Sequence, residues 1–258
     1  MIKLRKSDFS SIKNVDDLYF EVEERKIYYD DIYNNPYLDN NFKGIVKKSS
    51  DKLLSIVNKN YTLATNKSIV EPLINELENF DTKWYIDPSH SFYNDKRMRL
   101  QITFPELSID DDHNKSGLSL FVHNSYDMSE GVRLYWGAIR HICTNGMVFG
   151  KAIGQYYGRH SKNLSVIHLK ESLKNTYDKI PVIQERIKIL DEIAAKEHKI
   201  MTKIPEFGKG IENYVGTANI DSMSLWQLYN VITYYISHYI NLDQRAKYQI
   251  KASKVFEL

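Results

Sequence analysis

Three adjacent acids, Asp110, Asp111 and Asp112, precede His113 in the run Asp-Asp-Asp-His-Asn-Lys-Ser-Gly117. Carboxylates are hard oxygen ligands of the kind that hold Mg2+ for phosphodiester cleavage, with His113 or His123 beside them. The same run also reads as a solvated turn, because such nucleases usually draw their carboxylates from ordered strands. Cys143 stands two residues after His141 and upstream of His160. It offers a thiolate nucleophile with a histidine base, or, with His123, part of a zinc site. A lone cysteine supplies no paired zinc ligands and no disulfide framework, and it reads better as a small buried hydrophobe. There is no GxxxxGK[ST] loop and no HExxH. Gly146, Gly150, Gly154 and Gly158 fall four apart, which is not a dinucleotide fingerprint. On this reading no cofactor and no metal is expected.

Phosphate recognition without bond breaking is the other chemistry on offer. Net charge is only +2, from 35 Lys+Arg against 33 Asp+Glu, so the whole chain gives no argument for a polyanionic partner. The charges are segregated, however. Residues 16–31 carry seven acids and two bases, residues 43–67 six lysines and one acid, and residues 133–174 seven Lys/Arg and one acid. Such blocks make a basic surface on a neutral protein, or simply solvated faces with acids nearby. The candidate contacts to a nucleic-acid backbone are Lys43, Lys47, Lys48, Lys59, Arg97, Arg99, Arg133, Arg140, Arg159, His160 and Lys162. Nineteen tyrosines suit base stacking or wet interfaces equally well.

The elements that must position these groups read as an α+β fold: an antiparallel curved sheet, a short helix after the first strands, and long C-terminal helices covering it. Residues 1–41 read as an acidic, tyrosine-rich extension with short elements. Residues 42–163 form a β-rich core with one helix, and residues 164–258 a helical region folding with it. In the core, Phe42–Val46 and Leu53–Val57 read as strands around the turn Asn58–Asn60. Ser68-Ile-Val-Glu71 matches a capping box, with Pro72 in the first turn and an apolar face at Ile69, Val70, Leu73, Ile74, Leu77 and Phe80. Lys96–Phe104 alternates: Met98, Leu100, Ile102 and Phe104 face inward, and Arg97, Arg99, Gln101 and Thr103 face outward. A turn over Asp110–Gly117 leads to Leu118, Leu120 and Val122. The polar stretch Asn124–Gly131 leads to Val132, Leu134 and Trp136. The pattern implies a sheet with one face open to solvent or a partner. A helix over 165–200, bent near Pro181, is followed by a loop marked by Pro205, Gly208, Gly210 and Gly216. A last helix is capped by Asp221 or Ser222, with a stripe at Trp226, Tyr229, Thr233, Ile236 and Ile240. The apolar runs fall short of a bilayer span and the N-terminus lacks an apolar signal region. A cytoplasmic protein with no membrane partner is therefore expected.

Asn124-Ser-Tyr-Asp127 with Gly131 and Arg133, then Ile139-Arg-His-Ile-Cys-Thr-Asn-Gly146, then Arg159-His160, form a spaced series. This series resembles the phage and plasmid domain-of-unknown-function family 932, whose members carry N-S-H-D-G…R, V-R-x-V-C-x-N-G and a basic R-H. Tyr126 departs from the family, which often has His there. Phe42–Tyr61 is similar to the family's strand–turn–strand and Leu225–Thr233 to its C-terminal helix, so the resemblance spans about residues 42–245. It implies a mobile element as the source. The layout is similar to phage single-strand annealing proteins of the Red beta, RecT and Erf groups, which assemble into rings or filaments. The implied function is binding and annealing of single-stranded DNA by a homo-oligomer without catalysis. Two alternatives stand beside it. One is a module that binds a host or phage protein, acting on or sensed by host defence, through the region of Tyr19, Tyr28, Tyr29 and Tyr33. The other is a metal-dependent nuclease built on Asp110–Asp112.

Overall fold

The described residues form eleven strands and five α-helices, and apolar alternation marks the strands of the central sheet while 3.6-residue periodicity marks the helices. The computed structural model describes residues 9–79, 82–111, 114–140, 146–148, 155–160 and 180–255. The strands are β1 (Ser10–Ser11), β2 (Val22–Asp30), β3 (Pro36–Lys47), β4 (Lys52–Asn58), β5 (Tyr85–Ile86), β6 (Phe92–Tyr93), β7 (Arg97–Asp111), β8 (Asn114–Ser125), β9 (Val132–Arg140), β10 (Gly146–Val148) and β11 (Gln155–Gly158). The helices are α1 (Asn66–Leu77), α2 (Ile180–Glu192), α3 (Lys209–Gly216), α4 (Leu225–Tyr239) and α5 (Leu242–Ala252). One sheet runs β1-β6-β7-β8-β9-β10, with β5 also on β7 and β11 also on β9; a second runs β2-β3-β4. The pairs β1–β6, β6–β7, β9–β10, β2–β3 and β3–β4 are antiparallel. The fold is therefore α+β, with antiparallel sheets and C-terminal helices.

Packing divides the chain into two units: residues 1–102, 121–134 and 156–171, and residues 103–120, 135–155 and 172–258. In the first, Val22, Ile45, Leu54, Val57, Tyr61 and Tyr126 form a buried cluster against Phe20 and Leu63. Each such side chain withdrawn from water contributes about 1.5–3 kcal/mol. The helix α1 buries Ile69, Val70, Leu73, Ile74 and Leu77. In the second unit, α2 and α4 pack together and α4 and α5 lie against β10. Trp226, Tyr229, Thr233 and Ile236 are buried along α4, as the stripe requires.

Several sequence expectations are corrected. Residues 22–47 form a long hairpin, not short elements, and Pro36 begins β3, where its missing N–H is tolerated. The α1 cap is Thr65, whose Oγ1 accepts from the Ser68 N–H at 3.0 Å, so the helix starts ahead of the Ser68 box and Pro72 lies inside it. The Asp110–Gly117 turn is shorter than read, since β7 runs to Asp111 and β8 begins at Asn114. The helix expected over 165–200 ends at Glu192: the Ile193 carbonyl accepts from the Leu225 N–H and Ala194 bridges Ser224. Residues 165–179 and Phe80 lie outside the described residues. Gly210 and Gly216 belong to α3, not to a loop, and α4 is capped by Ser224 with Gln227 in a reciprocal box.

The open polar face is also overturned. Met98, Leu100, Ile102 and Phe104 are buried, but so are Arg99, Gln101 and Thr103 on the opposite side of β7. The Gln101 N–H donates to Ser91 Oγ at 2.9 Å, and the Thr103 and Ser119 hydroxyls bond at 3.0 Å. Polar residues on that side are thus enclosed by the protein and do not face water.

Candidate functional site

The motif Asn124–Arg133 folds as the connection between β8 and β9. Ser125 Oγ donates to the Glu130 carbonyl at 2.7 Å and accepts from the Glu130 N–H at 3.1 Å, which closes the loop on itself. Asp127 Oδ1 accepts from the Ser129 N–H at 3.0 Å, and Met128 takes a left-handed φ of 60° at the tip. Upstream, Asn124 Nδ2 donates to the Ala64 carbonyl and to Asn66 Oδ1 at 3.1 and 2.9 Å. The Tyr126 hydroxyl accepts from the Asn66 N–H at 2.8 Å, at the start of α1. Tyr126 is fully buried, edge-on to Phe20. The tyrosine that departs from the family pattern therefore ties the helix N-terminus to the turn.

Charged groups close around the same turn. Arg97 Nε donates to Asp127 Oδ2 at 3.1 Å. Arg99 Nη2 meets Glu130 Oε1 at 3.4 Å, and His123 Nδ1 lies 3.4 Å from Glu130 Oε2. All three side chains of the latter group are nearly closed off from solvent. Burial alone would raise the Glu130 pKa; His123, Arg99 and Arg133 outweigh it and hold the carboxyl at about 2. Burial pushes His123 down, against the pull of Glu130. This arrangement is a buried ionic cluster, and its carboxylate is held ionised.

A second group lies at the start of β9 and the end of β11. Gly131 allows the close approach: a Cβ there would stand 2.5 Å from the Gly158 carbonyl oxygen. The Arg133 guanidinium sits 5.3 Å over the Tyr157 ring, which is 52% exposed. The His160 ring stacks on Tyr61 at 4.7 Å and 15°, with Nδ1 3.3 Å from the Thr62 carbonyl. Burial lowers the His160 pKa, which favours the neutral ring. Arg159 is exposed beside it, and so is Lys59, in the turn that leads into Tyr61. Neither has an acidic partner among the described residues.

The sequence-predicted cations thus separate. Lys43 pairs with Glu24 at 2.7 Å, Lys47 with Asp95 at 2.7 Å and Lys48 with Glu21 at 2.9 Å. Arg97 and Arg99 belong to the ionic cluster. Arg133 lies over Tyr157 and the His160 ring stacks on Tyr61, while Lys59 and Arg159, close to them in sequence, are exposed. Arg140 is the last residue of β9, and Lys162 lies outside the described residues. Asp112, His113, His141 and Cys143 also lie outside them, and His123 faces Glu130. Among the described residues no three His, Cys, Asp or Glu side chains are arranged to hold a metal ion. Nor is any helix among them long and apolar enough to cross a membrane. Sequence reasoning missed Tyr157 and Glu130. The paired tyrosines of Gln155-Tyr-Tyr-Gly158 directly before Arg159 are the signal that points to the former.

The family model described as "Domain of unknown function (DUF932)" matches residues 53–254. No curated protein and no solved structure gives a match.

Proposed function

The chain belongs to the DUF932 family, and from that premise we propose that it binds single-stranded DNA without catalysis, as a mobile-element protein of the host cytoplasm that promotes strand annealing as a homo-oligomer. One observation carries this reading: an exposed Tyr157 ring is backed by the Arg133 guanidinium, and exposed Arg159 and Lys59, close in sequence to Tyr157 and to the Tyr61 ring that stacks on His160, meet no acid among the described residues. A ring face for stacking next to free cations is what sequence-tolerant strand binding requires. Five of the eleven candidate cations pair with carboxylates, so among the described residues the proposed contact surface narrows to this edge.

Fluorescence anisotropy with labelled oligo-dT tests it. Affinity falls as salt rises, and the double variant Lys59→Gln/Arg159→Gln flattens the log–log slope by roughly 1.4, because two phosphates of a single strand then keep their counterions. Tyr157→Ala weakens binding with little change of slope. Absence of salt-sensitive binding by the unaltered protein defeats the reading.

A protein partner is the second reading, favoured by the tip of the β2–β3 hairpin. There Tyr28, Tyr29, Ile32, Tyr33 and Tyr37 are all more than half exposed, and strand pairing to β4 begins only at Phe42. Exposed tyrosines suit such an interface. If Tyr29→Ser/Tyr33→Ser abolishes capture of a host or phage protein while oligo-dT affinity stays intact, this reading is preferred.

A further inference from the structure

A cavity of about 330 Å³ lies wholly within the second unit, and four lysines line it: Lys199, Lys203, Lys251 and Lys254. They come from two segments far apart in sequence. Lys199 and Lys203 sit on the 3-10 helix Lys199–Phe207, while Lys251 is in the last turn of α5 and Lys254 in the 3-10 turn Ser253–Val255. Gly208, at φ 95°, turns the chain out of the first segment and into α3. Among the described residues Glu206 is the one carboxylate in the lining, and Lys251 takes it. Its Nζ donates to the Glu206 carbonyl, lies 3.9 Å from Glu206 Oε2 and stands 4.8 Å over the buried Phe207 ring. Lys199, Lys203 and Lys254 have no acidic partner among the described residues.

Other lysines gathered in one place are neutralised by acids. Lys43, Lys47, Lys48 and Lys52 each meet a carboxylate at 2.7–2.9 Å, and the neighbouring Lys196 meets Asp221 at 3.6 Å. Like charges gathered around a concavity repel one another, and an anion inside it relieves that repulsion. The lining carries four ammonium groups against one carboxylate, so the best-matched occupant is a small polyanion. Ammonium groups are compact point charges that suit phosphate oxygens. The volume lies in the range of small-molecule sites, about 300–1,000 Å³.

We propose that this cavity binds a small polyphosphorylated molecule, a tripolyphosphate or nucleoside polyphosphate, at a site separate from the Tyr157 edge. The inference does not rest on the nucleic-acid reading.

Isothermal titration of the full chain with inorganic tripolyphosphate and, separately, with a nucleoside triphosphate at low salt tests it. The expected result is one site per chain and a rise in Tm with ligand. In Lys203→Gln/Lys254→Gln the affinity falls at least tenfold, while Tm without ligand is unchanged because both lysines are exposed. Tighter binding of the nucleoside triphosphate assigns an organic part to the ligand, and equal binding assigns the phosphates alone; both outcomes support the site. Absence of heat and of a Tm shift at millimolar ligand overturns it, as does equal affinity in the double variant. Displacement of tripolyphosphate by oligo-dT, lost in the same double variant, transfers the site to a nucleic-acid strand and overturns the small-molecule assignment. The Lys59→Gln/Arg159→Gln chain keeps its tripolyphosphate affinity, so the two proposals fail separately.

Discussion

The β8–β9 turn and the tip of the β2–β3 hairpin are built from the same residue types and use them in opposite ways. In the turn, Tyr126 is buried to 1% exposure, and Asp127 and Glu130 each face an arginine. At the hairpin tip Tyr33 is 75% exposed and Ile32 89%, and Asp31 is spent on its own turn. Burial turns a polar group's partner into a requirement, because an unpaired buried charge or N–H costs far more than a paired one returns. Exposure removes that requirement. Substitutions in the turn are therefore predicted to act on stability, and those at the hairpin tip on association.

The largest effect falls on Glu130. Glu130→Gln leaves Arg99 and Arg133 facing a neutral amide in a nearly closed site, and removing one partner of a buried pair costs about 3–5 kcal/mol. Urea denaturation measures it. A loss below about 1 kcal/mol would mean that water reaches the pair and that the turn is no different from the surface.

Acid titration sharpens the same point. The Glu130 pKa lies at about 2 in the fold against an ordinary 4.5. A folded pKa below the unfolded one gives stability that is fully present above about 4.5 and lost as pH falls towards 2, worth about 3 kcal/mol. Asp95, held low by Lys47 and Lys52, and Asp127, held low by Ser129 and Arg97 against the burial that would raise it, lose stability in the same direction. The diagnostic measurement is thus the difference between the wild type and Glu130→Gln over that window. Parallel stability curves would assign the acid sensitivity to the other carboxylates.

Tyr126→Phe is the next step down. The ring stays against Phe20, but the buried Asn66 N–H loses its acceptor, a cost of about 1–3 kcal/mol. Hydrogen exchange at the first turn of α1 locates the loss. Unchanged protection there would mean that the tyrosine is a packing residue alone.

The sequence made one half of this contrast readable. Met98, Leu100, Ile102 and Phe104 show the inward face of β7 because apolar alternation is local. The other face reads as open in the sequence because Arg99 finds Glu130 thirty-one residues away and Thr103 finds Ser119 sixteen away. No pattern in a linear sequence marks such partners. Helix boundaries were blurred for a different reason: Thr65 and Ser68, or Asp221, Ser222 and Ser224, are all competent caps, and packing chooses among them. In the candidate site, Arg133 and His160 were legible from the spaced motif. The neutralisation of Lys43 and Lys48 was not, since Glu24 and Glu21 reach them only once β2 lies along β3.

The smallest effect is predicted at the hairpin tip, where Tyr33→Ser changes global stability by no more than about 0.5 kcal/mol. The tip does not depend on its aromatic ring. Asp31 Oδ1 accepts from the backbone N–H groups of Tyr33 and Asn35, both at 2.8 Å, and Asn34 supplies the left-handed φ of 61°. All three survive the loss of the Tyr33 side chain. Asp31→Ala removes the acceptor instead, and faster amide exchange at Tyr33 and Asn35, with the rest of the chain unaffected, is the expected signature. A loss above about 1 kcal/mol for Tyr33→Ser would show that the ring is covered in solution. The contrast between the two regions would then end, because the tip would already be occupied by a second copy of the chain.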